Sequence, residues 1–164
     1  MTPSVLTVRP ASPADLGEVD RLLSLSFPAL LKRDYAPSVM VTAVPVLARA
    51  RPALLACGTY FVAQAEDGRI VGAGGWTSQR RDPSLADIRH LVTDHRHTRQ
   101  GIGRALLGHA LAAGAAAGIV RFDCLSTLTA VPFYRALGFA DLGPITMSLG
   151  PGIAFPVVQM TRPA

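Results

Sequence analysis

The chain is poor in several things at once. Lys32 is its only lysine, Glu18 and Glu66 are its only glutamates, Cys57 and Cys124 its only cysteines, and Trp76 its only tryptophan. The two cysteines are far apart in apolar surroundings and read as buried, reduced thiols, which places the chain in the cytosol. The start, "MTPSVLTVRPASPADLG", lacks a basic segment followed by an apolar core, so no signal peptide is expected. The uncharged run at residues 105 to 120 is alanine- and glycine-rich, contains His109 and is too short to span a membrane. The net charge is +5, yet no lysine-rich run, interleaved aromatics or zinc-finger spacing accompanies it. That excludes nucleic acid as the partner and favours a small anionic ligand.

What is present is an ordinary globular balance, 49% hydrophobic and 16% charged over 164 residues. No internal repeat or linker interrupts it, so residues 1–164 read as one domain. Residues 5–10 alternate as a short strand does. Ser12, Pro13, Asp15 and Glu18 then open a helix carrying Leu16, Val19, Leu22, Leu23 and Phe27 at helical spacing. A second helix is expected over 36–50, with Pro45 inside it. Apolar runs flanking Asp67-Gly68 predict a hairpin of strands 59–65 and 70–77, and 86–93 is a further strand. A helix follows from Gly103 to Ala116, with Gly118 as its stop. Then come a strand at 120–126, a short helix at 130–137 and terminal strands. Only the crossover from strand 86–93 through a helix to strand 120–126 demands a parallel pair. The fold class is α/β, with a mixed, mostly antiparallel sheet flanked by helices.

The stretch "DHRHTRQGIGRALL", residues 94–107, places glycines and arginines between a strand and a helix. Free N–H groups and the positive end of a helix bind phosphate there, and glycine lets the backbone approach. Gly101 and Gly103 lie at the junction, Arg99, Arg104 and Gln100 supply charge and donors, and Ile102, Leu106 and Leu107 anchor the first turns. The dinucleotide fingerprint fails on spacing, because its third glycine would fall at Leu106. "GAGGWT" at 72–77 fails as well, and no Walker-type lysine exists.

These residues carry a resemblance. "TRQGIG" at 98–103 is similar to the Q/R-x-x-G-x-G/A loop of the GNAT superfamily of N-acetyltransferases, and "TAVPFYRALGF" at 129–139 resembles that family's second signature. The two motifs stand in the family's order within a matching strand and helix order across nearly the whole chain. Thr98 departs from the usual Gln or Arg, leaving Arg96 or Arg99 to supply charge beside the pyrophosphate.

The resemblance implies the acyl-CoA N-acyltransferase fold, in which the parallel strand pair splays. It further implies an acetyl-CoA-dependent transfer to a primary amine by direct attack in a ternary complex. The main chain of Leu91, Val92 and Thr93 would meet the pantetheine arm, and residues 99–104 (Arg99, Gln100, Gly101, Ile102, Gly103, Arg104) the pyrophosphate. Tyr134 would act as general acid. The amine acceptor, a small molecule or a peptide, is not specified. Neither glutamate lies on the central strands, so Asp87, His90, Asp123 or water alone remain as the base. His90 shares strand parity with Ile88 and Val92, as a core residue would. His95 and His97 form a solvated pair, and no metal is expected. Trp76, Phe27, Tyr35 and Met40 are expected either to line the acceptor side or simply to pack. Family members often dimerise through their C-terminal strands, here "GPITMSLGPGIAFPVVQM", so a homodimer is one outcome of the resemblance. A catalytically inactive acyl-CoA-binding sensor of the same fold is the alternative function.

Overall fold

The computed structural model describes residues 6–164. Strand β1 (Thr7–Pro10) stands where the alternation predicts it, with Val5 outside the described residues. The Ser12 N–H donates to the Asp15 carboxylate at 2.8 Å, and Arg9 donates to both oxygens of that carboxylate at 2.9 Å. The chain then passes through a 3-10 turn into α1 (Leu16–Leu31), whose Val19, Leu22, Leu23, Phe27 and Leu31 form one buried stripe.

The single helix expected over 36–50 is instead two, α2 (Pro37–Thr42) and α3 (Val44–Leu47), and a third short helix, α4 (Pro52–Ala56), follows. Pro45 is the reason for the break. It has no N–H to give, and its ring would strike the carbonyl four residues back, so the chain restarts with Pro45 in a first turn. Together with α1 these helices bury Tyr35, Ala43, Val44 and Leu55 on one face of the sheet.

Strands β2 (Tyr60–Gln64) and β3 (Ile70–Ser78) meet around Asp67-Gly68, where Gly68 takes φ +87 in the turn. Strand β4 (Leu85–Thr93) completes the antiparallel meander. Helix α5 (Ile102–Ala116), β5 (Arg121–Thr127), α6 (Val131–Ala136), β6 (Ala140–Gly150) and β7 (Ile153–Pro163) finish the chain. The sheet order is β1-β2-β3-β4-β5-β7-β6, with β7 inserted between β5 and β6. β4 and β5 are its one parallel pair among the described residues. The expected mixed α/β sheet flanked by helices is therefore the fold found.

Helix α5 packs on the opposite face from α1 through Ile102, Leu106, Leu107, Ala110 and Leu111. It lies very close to the sheet, since a Cβ on Gly114 would stand 2.5 Å from the Phe122 ring and 3.4 Å from the Trp76 indole. Trp76 is consequently a core residue under α5, only 6% exposed, and does not line the acceptor side. Packing is also the role of Tyr35, which stacks on Phe155 with ring centroids 4.7 Å apart. Cys124 is buried as expected, and burial raises its thiol pKa to about 12. Cys57, expected to be buried as well, is exposed just after α4.

Candidate active site

Strands β4 and β5 pair only at their first residues, Leu85 with Arg121, Ala86 with Phe122 and Asp87 with Asp123. Gln79 clamps this closed end, donating to Asp87 at 3.0 Å and to Asp123 at 2.8 Å. Arg121 adds a two-pronged contact to Asp123 at 3.1 and 3.0 Å, and the Thr161 hydroxyl donates to it at 2.7 Å. Burial works to raise the Asp123 pKa, but the hydrogen bonds from Arg121, Thr161 and Gln79 outweigh it and hold the carboxyl below its usual range. Both carboxylates are thus tied into the clamp and lie outside the cavity described below.

Beyond the clamp the strands part, and a bulge in β4 sets what faces the gap. Gly74 of β3 stands opposite two residues, His90 and Leu91, and His90 adopts φ +43. Before the bulge, the Gln79 N–H donates to the Leu85 carbonyl at 2.8 Å, so the odd-numbered residues spend their backbone on β3. After it, the Asp94 N–H donates to the Val71 carbonyl at 2.8 Å, so the even-numbered ones do. By alternation, Leu91 and Thr93 turn their N–H and C=O groups into the gap, while Val92 gives its own to β3. Side chains invert in step. Ile88 packs on the α5 side and Val92 on the α1 side, so the shared parity read for Ile88, His90 and Val92 does not hold. His90 Nδ1 is buried without a partner. Burial, then the nearby charges of Arg51 and Arg89, push its pKa down to about 4, leaving a neutral ring at pH 7.

The loop after β4 is held from inside. Asp94, 5% exposed, accepts from the Arg96 N–H at 2.9 Å and from the Arg96 guanidinium at 3.1 and 2.9 Å. Those contacts, led by the guanidinium, lower its pKa to about 2. Ser26 on α1 accepts from the His95 N–H at 3.3 Å. Arg96 is thereby committed to Asp94, and the charges left for a ligand are those of Arg99 and Arg104. Arg99 and Gly101 are both left-handed, at φ +61 and +79, which turns the chain into the start of α5. Among the described residues no side chain caps that start, which leaves its first-turn N–H groups available to an anion.

These elements enclose a cavity of about 550 Å³. Its walls include Phe27, Leu30 and Leu31 of α1, Leu91–Thr93 of β4, His97–Arg99 and Gly101–Arg104 of the loop and first turn, Thr127, Thr129 and Ala130, and the α6 residues Phe133 and Tyr134. Of the positions singled out in the sequence, Leu91, Val92, Thr93, Arg99, Gly101, Ile102, Gly103, Arg104 and Tyr134 all line it, whereas Gln100 does not. Thr98, the departure from the family's motif, lines it too. Phe133, Thr127 and Thr129 join the wall without having been singled out. The only sequence signal for them was their place inside or beside "TAVPFY". Phe133 and Tyr134 meet edge to face, with ring centroids 5.3 Å apart. The Leu128 N–H donates to the Tyr35 hydroxyl at 2.9 Å and Thr129 to Asp34 at 2.7 Å, which ties this wall to the end of α1.

Tyr134 is 6% exposed, and burial, with a smaller contribution from the neighbouring Cys124, drives its pKa well above the ordinary phenol value. Its hydroxyl forms no hydrogen bond among the described residues, so it stays protonated and free to donate into the cavity. His95 and His97 part ways: His95 sits by Ser26, and His97 faces the cavity. Among the described residues, no helix is long and apolar enough to cross a membrane.

A family model described as "Acetyltransferase (GNAT) domain" matches residues 37–155. Sequence comparison with curated proteins returns no match. Among solved structures, the chain is similar to a GCN5-related N-acetyltransferase from Rhodopseudomonas palustris (TM-score 0.80, 19% identity, covering 100% of this chain and 99% of that one). It is also similar to the PaiA N-acetyltransferase of Thermoplasma acidophilum in complex with coenzyme A (TM-score 0.75, 16% identity, 98% and 99% covered). A third similar structure is the ribosomal-protein-S18-alanine N-acetyltransferase of Escherichia coli (TM-score 0.67, 15% identity, 97% and 94% covered).

Proposed function

The chain belongs to the GNAT acetyltransferase family, and on that premise we propose that it moves an acetyl group from acetyl-CoA to a primary amine by direct attack in a ternary complex. We take residues 1–164 as one transferase domain. The observation that carries this reading is the cavity itself. It runs from an uncapped helix start flanked by Arg99 and Arg104, along the free backbone of Leu91 and Thr93, to the Tyr134 hydroxyl. A pyrophosphate, an amide-bearing arm and a thioester need those three features in that order.

The residues divide the chemistry as follows. The first-turn N–H groups of α5 and the two guanidiniums hold the pyrophosphate. Leu91 and Thr93 pair with the amides of the arm, and an N–H from this edge stabilises the oxyanion that forms as the amine attacks the thioester carbonyl. The new C–N bond forms in that attack; the C–S bond breaks as the oxyanion collapses back to the carbonyl, and Tyr134 gives its proton to the departing sulfur. The amine's proton leaves to water, because Asp87 and Asp123 are held in the clamp and His90 does not line the cavity. The phenol recovers its proton from solvent.

Calorimetric titration with CoA, acetyl-CoA and NADH, followed by Tyr134→Phe, tests this reading. Micromolar binding of the CoA species but not NADH is expected, with Tyr134→Phe losing kcat by ~10²-fold at unchanged CoA affinity. Absence of CoA binding overturns the reading. Binding with no turnover across an amine panel replaces it with the acyl-CoA sensor.

A further inference from the structure

We propose that Tyr60 is a positioning residue for this transfer: its hydroxyl locks the β4 bulge in the phase that turns Leu91, rather than Val92, into the gap. The inference rests on the reading that the gap holds the acyl-CoA arm.

Tyr60 belongs to β2, two strands away from β4, yet its O–H donates to the His90 carbonyl at 3.0 Å. It reaches that carbonyl across β3 beside two glycines, neither of which has room for a Cβ. Tyr60 pairs with Gly75, where a Cβ would stand 2.5 Å from Tyr60 Cα and 2.2 Å from the Thr59 carbonyl. Next to it, Leu91 folds over Gly74, where a Cβ would stand 2.4 Å from Leu91 Cδ1. The phenol is 1% exposed, so the hydrogen bond is made away from competing water.

The bulge needs such a restraint. His90 holds φ +43, a conformation that a residue with a Cβ adopts only at a cost. The return to regular pairing would shift the strand by one residue, which exchanges every group on its two edges and faces. Val92 would then present its backbone to the gap, and Leu91 would bond to β3. The hydroxyl removes that option by holding the one carbonyl at the turning point.

The test is Tyr60→Phe, alone and combined with His90→Gly, since glycine takes positive φ without restraint. Two readouts are taken: steady-state kinetics beside CoA affinity, and residue-resolved amide hydrogen exchange. In the native protein Val92 and Asp94 amides are expected to exchange slowly and those of Leu91 and Thr93 quickly. Tyr60→Phe is expected to lower Val92 and Asp94 protection by about tenfold or more, leave β5 and β7 protected, and cut kcat about tenfold while weakening CoA binding severalfold. Adding His90→Gly should restore the slow Val92 and Asp94 exchange. Unchanged exchange and kcat in Tyr60→Phe would overturn the proposal. So would a uniform loss of protection across the sheet, or a double variant no better protected than the single one. The exchange pattern is readable in a protein that binds no CoA, so failure of the transferase reading stays separate from failure of this one.

Discussion

Gly103 stands against Phe133: a Cβ on the glycine would come within 3.2 Å of the ring Cε2 and 3.3 Å of Thr93 Cγ2. The bare first turn of α5 and the aromatic ring of α6 therefore form one continuous wall of the cavity. For Gly103→Ala, the gain in helix propensity of about 1 kcal/mol is opposed by crowding of similar size. The melting temperature should move by only a few degrees. CoA affinity should fall severalfold, because the ring has only the cavity to yield into. Thermal melts and calorimetry on the same sample check both halves.

Arg99 separates charge from backbone strain. It is left-handed at φ +61 and lines the cavity. Arg99→Gly removes the charge and relieves the backbone, while Arg99→Ala removes the charge and keeps the strain. Both should weaken CoA binding by a similar factor, about tenfold at low salt and less at high salt. The glycine variant should be the more stable by about 1 kcal/mol in denaturant melts. If only the alanine variant loses affinity, loop shape rather than charge holds the ligand.

Asp94 governs acid stability of the loop. Its carboxyl is depressed from 3.8 to about 2 by Arg96, so the contribution is complete above about pH 4 and disappears as pH falls from there towards 2. The contribution is of order 1 kcal/mol, since the Arg96 side chain is 57% exposed and water screens the pair. Asp94→Asn should lower stability at pH 6 and flatten the stability profile between pH 4 and 2. An unchanged profile would show that the pair contributes nothing.

His90 acts in an adjoining window with the opposite charge change. Its pKa is lowered from 6.5 to about 4, so the fold favours the neutral ring. Stability from this site is complete above pH 6.5 and declines as pH falls towards 4. The His90 ring signals in an NMR titration should stay those of a neutral imidazole at pH 5 and move only near pH 4. An apparent pKa at 6 or above would mean that the ring turns out to solvent.

Much of this architecture could be read from local chemistry. Asp67-Gly68 announced its hairpin, Ser12, Pro13 and Asp15 announced the entry to α1, and the glycines and arginines at 99–104 announced the turn into α5. Reading failed where an element depends on its neighbours. The bulge at His90 leaves no mark on β4, because what permits it is the absence of a Cβ on Gly74 in the next strand. Trp76 at a strand end carries no sign of whether a helix will cover it. That Gly114 lets α5 settle onto it is a fact of packing. The seating of β7 between β5 and β6 is likewise a matter of pairing partners, and the alternation within each strand is the same in either order.

The pairing of β4 with β5 through Leu85–Asp87 has a mechanical consequence. The sheet divides into two leaves, β1 to β4 and β5 to β6, hydrogen-bonded to each other along one short seam and joined by the cores that both share. On the function proposed above, a molecule with amides along its length would lie in the opening, bond to backbone that β4 leaves unmatched and become the missing rung between the leaves. Such a ligand would add cohesion of its own to that of the shared cores, and the protein's stability would rise with ligand concentration.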